Sequence, residues 1–132
     1  MKNIAIRENH LYKKVYVKGN KAYGKYTVIY VLRDLKASVL KKANPQKEYV
    51  NRVGLTVTKK IGKAVVRNRV KRIIRAAFSE IEREYTVKKG NLIVIAARED
   101  AVTAKSSEIY PEMLRQLKKL NLISEKVAAK NS

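Results

Sequence analysis

The chain has 132 residues, with 31 lysines and arginines against 11 aspartates and glutamates, so its formal net charge is +20. This length fits one domain, and an apolar content of 45% is enough for one core. The chain as a whole is therefore not a disordered tail. The absence of cysteine excludes disulfides and thiolate metal sites, and a lone histidine, His10, argues against a histidine-based catalytic or zinc site. So positive a domain requires a polyanionic partner, with nucleic acid favoured over an anionic membrane surface.

The start of the chain lacks the long apolar core of a signal peptide, and no apolar run approaches the roughly 18 residues of a membrane span. We therefore expect a cytoplasmic protein with no membrane partner.

The first half of the chain predicts one helix and two strands. Residues 7–18 have helical spacing, which places Tyr12 and Tyr16 on one face, and residues 25–32 are β-branched and aromatic, as in a strand. Residues 34–50 are undecided between a long hairpin loop and a further strand. Residues 52–58 alternate apolar and other side chains, which predicts a strand with one buried face.

The second half predicts a long helix over 63–85, a buried strand over 92–97 and a last helix from Ser106 or Ser107 to about Leu120. Pro111 is expected in the first turn of that last helix. The order is α-β-β-(β)-α-β-α, which indicates an α+β fold with a small, mostly antiparallel sheet packed by helices. We expect a single domain over 1–124 and a disordered tail over 125–132.

The most informative segment is Lys59 to Arg75, in which eight of 17 residues are basic and none is acidic. Within the long helix, the apolar residues Val66, Val70, Ile73, Ile74, Ala77 and Ile81 form one stripe. Arg67, Lys71 and Arg75 form a second stripe well over 100° away, so one stripe is buried while the other faces outward. A solvated helix face usually mixes charge signs. Like charges at i,i+4 destabilise the helix unless an anion such as a phosphate compensates, and this favours polyanion binding.

These residues have a familiar arrangement. The run KKIGKAVVRNRVKRIIRAAF, with its Arg67-Asn68-Arg69 core and the strand VGLTVTKKIG before it, closely resembles the signature segment of the bacterial ribonuclease P protein subunit. LYKKVYVKG, YTVIYVL and LIVIAAR also resemble that family, so that the resemblance covers roughly residues 7–120. It implies an α/β sandwich with a left-handed β-α-β crossover.

The resemblance also implies a function. Family members pair with a large catalytic RNA, and the complex hydrolyses the phosphodiester that releases the 5′ leader of precursor tRNA. The RNA and its magnesium ions carry the chemistry, so we expect no catalytic or metal-binding side chain in the protein, which is monomeric by itself. The residues implied to face the catalytic RNA are Lys63, Arg67, Asn68, Arg69, Lys71, Arg72 and Arg75. Those implied to bind the leader, in a cleft between the first helix and the sheet, are Tyr12, Tyr16, Tyr30, Thr56, Lys59 and Lys60.

The tyrosines fit this role on physical grounds, because an aromatic ring stacks on an unpaired base of any sequence. The alternative for Tyr12 and Tyr16 is helix packing, which is compatible with base contact. The other tyrosines, Tyr23 among them, are interpreted as packing residues.

Three other classes of protein are weaker interpretations. A structural RNA-binding protein, for example a ribosomal one, fits the composition but does not account for the joined VGLTVTKKIG and Arg-Asn-Arg unit. A self-sufficient nuclease needs a carboxylate cluster or a His/Lys pair, and His10, Glu80, Glu82 and Glu84 are interpreted as surface residues. An amphipathic membrane-surface protein is disfavoured, because the strands need the apolar face of the helix for a core.

Overall fold

In a computed structural model of the protein, residues 4–34 and 51–126 are described. The helices within these residues are α1 (Asn9–Lys18), α2 (Ala64–Glu84) and α3 (Ser106–Lys119). The strands within them are β1 (Ile4–Ala5), β2 (Asn20–Tyr23), β3 (Thr27–Arg33), β4 (Arg52–Thr56), β5 (Tyr85–Val87), β6 (Asn91–Ala97) and β7 (Ile123–Lys126). Short 3-10 helices follow β4 at Lys59–Ile61 and β6 at Glu99–Thr103.

Five strands form the main sheet in the order β1-β4-β6-β3-β2, and β5 pairs with β7 in a small second sheet. In the main sheet β1 and β6 both run parallel to β4, while β3 runs antiparallel to β6 and β2. The α+β class is confirmed, and the main sheet is evenly mixed. The unit β4-α2-β6 joins two adjacent parallel strands and is the predicted crossover; its left hand stays an expectation from the resemblance.

Helices cover both faces of the main sheet. On one face α2 and α3 bury a large core that includes Ile74 and Met113 over Ile93 and Ile95. On the other face α1 places Leu11 and Val15 over Leu92 and Val94 in a smaller core. Strand β6 is therefore buried on both sides, which explains its uninterrupted apolar run. Among the helices that the structure describes, none combines the length and the apolar character needed to cross a bilayer.

The long elements agree with the sequence expectations, and the short ones add to them. Helix α2 and strand β6 lie within one residue of their predicted bounds. The strands β1, β2, β5 and β7 were not predicted, because each has only two to four residues and such segments carry little periodicity. The undecided segment 34–50 lies, from residue 35 onward, outside the described residues.

Two expectations about the C-terminal part need correction. Ser106 is the first helical residue of α3, and the capping position belongs to Lys105. The backbone N–H of Lys105 donates to the Glu108 carboxylate at 3.0 Å. Pro111 is therefore the sixth helical residue, beyond the first turn. The tail was expected from residue 125, but residues 125 and 126 belong to β7, and residues 127–132 lie outside the described part of the chain.

Candidate nucleic-acid interface

Three tyrosines meet where α1 crosses the main sheet; we call Tyr12, Tyr16 and Tyr30 the tyrosine cluster. The rings of Tyr16 and Tyr30 are 4.8 Å apart between centroids and meet edge to face at 81°. The hydroxyls of Tyr16 and Thr56 are hydrogen-bonded to each other. Four of the residues predicted to bind an RNA strand, those of the cluster and Thr56, therefore lie on one face of the sheet.

Tyr12 is held at the edge of this cluster by a close contact. Its hydroxyl donates to the carbonyl of Ile6 at 3.4 Å. Its ring lies so near the backbone of Gly54 that a Cβ at that position would come within 2.7 Å of Cε1 of the ring. Only glycine at residue 54 allows α1 to approach β4 at this distance.

Tyr12 and Tyr16 are half-buried, and this burial changes the pKa of their phenols. Burial raises the pKa of the Tyr12 phenol, and the neighbouring Tyr16 adds to the rise. Burial also raises the pKa of Tyr16, although its hydrogen bond to Thr56 acts in the opposite direction. Both hydroxyls are therefore protonated at neutral pH and add no negative charge that would repel a phosphate.

Helix α2 carries the second surface; we call Arg67, Lys71 and Arg75 the basic stripe. The opposite side of α2 is buried, as predicted, through Val70, Ile74, Ala77, Phe78 and Ile81, while Val66 and Ile73 are half-buried. Asn68 and Arg72 flank the stripe and are exposed. Within the described residues, the buried Nε of Arg67 has no hydrogen-bond partner, so this donor is not used by the fold.

One residue of the tyrosine cluster and two of the basic stripe line an open cleft of about 430 Å³ along the outer edge of β4, which we call the edge cleft. Tyr12 lines it from α1, and Lys71 and Arg75 line it from α2. The cleft is open because β1 pairs only with Arg52 and Val53 and leaves the rest of that edge uncovered. The sequence predicted the two surfaces separately, and the sheet order brings them together.

Arg69 differs from its neighbours in the Arg67-Asn68-Arg69 motif. Its guanidinium donates to the carbonyls of Val102 at 2.7 Å and Ala104 at 3.1 Å, at the end of the second 3-10 helix. These hydrogen bonds join α2 to the 3-10 helix, while the contact of Arg69 with the catalytic RNA stays a prediction. The motif therefore contains one arginine with a structural role.

The remaining predicted lysines lie at one end of the sheet. Lys59 and Lys60 are exposed on the 3-10 helix after β4, and Lys63 is exposed just before α2. Lys60 lines a second open cleft together with Lys25 and Arg98, which also contains two carboxylates. These lysines therefore extend the positive surface past the end of β4 and do not enter the edge cleft.

Two of the acidic residues in the described part of the chain have clear partners within the fold. Asp34 is buried and accepts a bidentate ion pair from Arg52, at 2.7 Å from Nε and 2.9 Å from the second guanidinium nitrogen. Glu84 accepts a hydrogen bond from Tyr110 at 2.9 Å. In residues 4–34 and 51–126, no group of three or more histidine, aspartate or glutamate side chains is placed to hold a metal ion.

Two residues near the tyrosine cluster were not predicted as part of the interface. Tyr23 was interpreted as a packing residue, but 65% of it is exposed, so that interpretation is wrong. The ammonium of Lys21 lies 5.9 Å from the centroid of the Tyr30 ring. The alternation of Lys21 and Tyr23 around the buried Ala22 is a strand pattern that could have identified both.

The chain is similar in sequence to known proteins. Residues 1–121 match the protein family described as Ribonuclease P. The chain is 37% identical over 122 residues to the ribonuclease P protein component of Alkaliphilus oremlandii, covering 92% of this chain and 95% of the relative.

Solved structures show the same fold. The RNase P protein of Staphylococcus aureus has a TM-score of 0.69 at 25% identity, with 93% of this chain and 100% of that one covered. The RNase P protein of Thermotoga maritima has a TM-score of 0.65 at 22% identity, with 90% and 97% covered.

Proposed function

Because the chain belongs to the ribonuclease P protein family, whose members are the protein component of an endoribonuclease complex in tRNA processing, we propose that its basic stripe binds the catalytic RNA and its tyrosine cluster binds the 5′ leader of precursor tRNA. The observation that carries this proposal is the edge cleft, whose lining includes Tyr12, Lys71 and Arg75. An RNA strand bound along this edge of the sheet could thus contact residues of α1 and of α2.

The basic stripe has the chemistry of a phosphate-binding surface. Its cations, Arg67, Lys71 and Arg75, are spaced about one helical turn apart along α2. A guanidinium can bind a phosphate through two parallel hydrogen bonds, and each phosphate bound releases condensed counterions. Asn68 and Arg72 add neutral and charged donors on either side.

The tyrosine cluster has the chemistry of a single-strand platform. Tyr16 and Tyr30 present partly exposed rings in a fixed edge-to-face pair. Stacking of an unpaired base on such a ring contributes about 1–3 kcal/mol and tolerates any base. A leader differs in sequence from one precursor to the next, so a sequence-tolerant surface suits it.

The chemistry of cleavage belongs, in this proposal, to the RNA and to magnesium ions held by its phosphates. Mg²⁺ prefers oxygen ligands and often binds through phosphates, of which an RNA supplies many. The protein contributes binding and charge neutralisation: it holds the leader and reduces the repulsion between the two RNA molecules. We also propose that it is monomeric when free, because copies of charge +20 repel one another, and that it acts in the cytoplasm.

Two sets of variants test this division of roles. Arg67→Gln, Lys71→Gln and Arg75→Gln are expected mainly to weaken binding to the ribonuclease P RNA. Tyr12→Ala and Tyr16→Ala are expected mainly to reduce the preference of the assembled enzyme for precursor over mature tRNA. Titrations of each variant with the RNA, and then of the complexes with both tRNAs, distinguish the two effects. The opposite assignment would show that the two surfaces are exchanged.

A further inference from the structure

We propose that Tyr23, supported by Lys21, adds one base-stacking position to the tyrosine cluster, at the edge strand β2. This inference rests on the proposed binding of the leader. We therefore expect the protein to contact the leader beyond Tyr30, towards β2. It should bind one more nucleotide than the tyrosine cluster alone would bind.

The register of the strands places Tyr23 on the face of the tyrosine cluster. Tyr23 pairs with Val28, and Lys21 pairs with Tyr30. Directly paired residues project to the same face of a sheet, and Tyr23 is the diagonal neighbour of Tyr30. The side chains of such a diagonal pair are about 7–8 Å apart at Cβ, within reach of neighbouring bases of one strand.

The exposure of Tyr23 is the second observation. It has 65% of its surface exposed, whereas Tyr12, Tyr16 and Tyr30 are each partly buried against the smaller core. Within the described residues, its hydroxyl has no hydrogen-bond partner. The ring therefore contributes little to the core and is available to a ligand.

The strand that carries Tyr23 is held rigidly from the opposite face. Gln116 of α3 donates to the carbonyl of Ala22 at 3.0 Å. The buried carboxylate of Glu112 accepts the backbone N–H groups of Tyr26 at 3.0 Å and Thr27 at 3.1 Å, in the turn between β2 and β3. A Cβ at Gly24 would collide with this carboxylate, at 2.6 Å from one of its oxygens. An anchored strand presents its ring at little entropic cost on binding.

The chemistry around Tyr23 favours an RNA strand over a second protein chain as its occupant. An edge strand can pair with another strand, but lysine on the edge opposes such pairing, and β2 carries Lys21. Lys21, with its ammonium near the Tyr30 ring, is placed to contact a phosphate between two stacked bases. A second copy of this chain would bring another charge of +20 to the same edge.

The test measures how affinity depends on leader length. The chain is assembled with ribonuclease P RNA, and dissociation constants are measured for precursor tRNAs whose leaders are lengthened one nucleotide at a time. We expect affinity to rise with length and then to level off. In Tyr23→Ala it should level off one nucleotide earlier, with a loss of about fivefold for the longer leaders and none for the shortest. Tyr23→Phe keeps the ring and should follow the wild-type curve, and thermal melting of each free protein confirms folding.

The outcomes separate this inference from the proposed function. A Tyr23→Ala curve that coincides with the wild-type curve overturns the inference and leaves leader binding intact. An equal loss at every leader length, including the shortest, also overturns it, because that pattern reports assembly or folding. If the wild-type complex binds mature tRNA as tightly as every precursor, leader binding itself is wrong and the inference fails with it.

Discussion

Tyr12 packs against the backbone of Gly54, and a Cβ at residue 54 would lie 2.6 Å from Cζ of the ring. This contact joins α1 to β4 at the entrance of the edge cleft. Tyr12 lines this cleft together with Lys71 and Arg75, so the glycine is part of the reason that the two surfaces proposed to bind RNA both reach it.

Replacing Gly54 by alanine should therefore displace Tyr12. We expect Gly54→Ala to lower the free energy of unfolding by about 1–3 kcal/mol, as overpacking does, and to weaken binding of precursor tRNA more than of mature tRNA. Urea unfolding and tRNA titrations measure the two effects. The same substitution in a Tyr12→Ala background should cost much less, because the colliding ring is gone. Equal costs in both backgrounds would contradict the contact.

Features of this fold that arise from local sequence patterns can be predicted from the sequence, whereas those that arise from contacts between distant residues cannot. Helix α2 and strand β6 were predicted closely, because their apolar patterns extend over many residues and reflect local geometry. The role of Arg69 could not be predicted, since its partners Val102 and Ala104 lie more than 30 residues away in the chain. The edge cleft depends on the placement of β1 beside β4, which a two-residue strand does not reveal in sequence.

Arg69 and Arg72 should respond differently to the same substitution. Arg69→Met removes two charged hydrogen bonds to backbone carbonyls, and we expect it to lower the free energy of unfolding by about 1–3 kcal/mol. Arg72→Met changes an exposed side chain and should alter stability by no more than about 0.5 kcal/mol, while it weakens binding to the ribonuclease P RNA. Urea unfolding with RNA titration measures both. Full stability in Arg69→Met would show that its hydrogen bonds are dispensable.

The basic stripe should determine part of the salt dependence of RNA binding. The logarithm of the binding constant falls with the logarithm of salt concentration by about 0.7–0.9 for each phosphate neutralised. Arg67→Gln and Arg75→Gln are each expected to reduce this slope by about that amount. Arg115→Gln, on an exposed position of α3, removes the same charge and should leave the slope nearly unchanged. A slope that falls equally in all three variants would mean that only net charge matters.

Tyr110 should make stability fall at alkaline pH. Burial, followed by its hydrogen bond to Glu84, raises the pKa of Tyr110 to about 12 from its ordinary value of 10.0. Because the folded state disfavours the phenolate, the contribution of Tyr110 is fully present below about pH 10 and is lost as the pH rises towards 12. In Tyr110→Phe this part of the loss should be absent. The free energy of unfolding of both proteins is measured by urea unfolding at about pH 9 and about pH 11. An equal decrease in the two proteins would contradict the assignment of this loss to Tyr110.

The central claim is that this chain is the accessory protein of an RNA enzyme. Its most direct test is cleavage of precursor tRNA at low magnesium by the matching ribonuclease P RNA, with and without the protein, and by the protein alone. The account predicts strong stimulation of the RNA by the protein and no cleavage by the protein alone. Cleavage by the protein without RNA, or tight RNA binding without any stimulation, would contradict it.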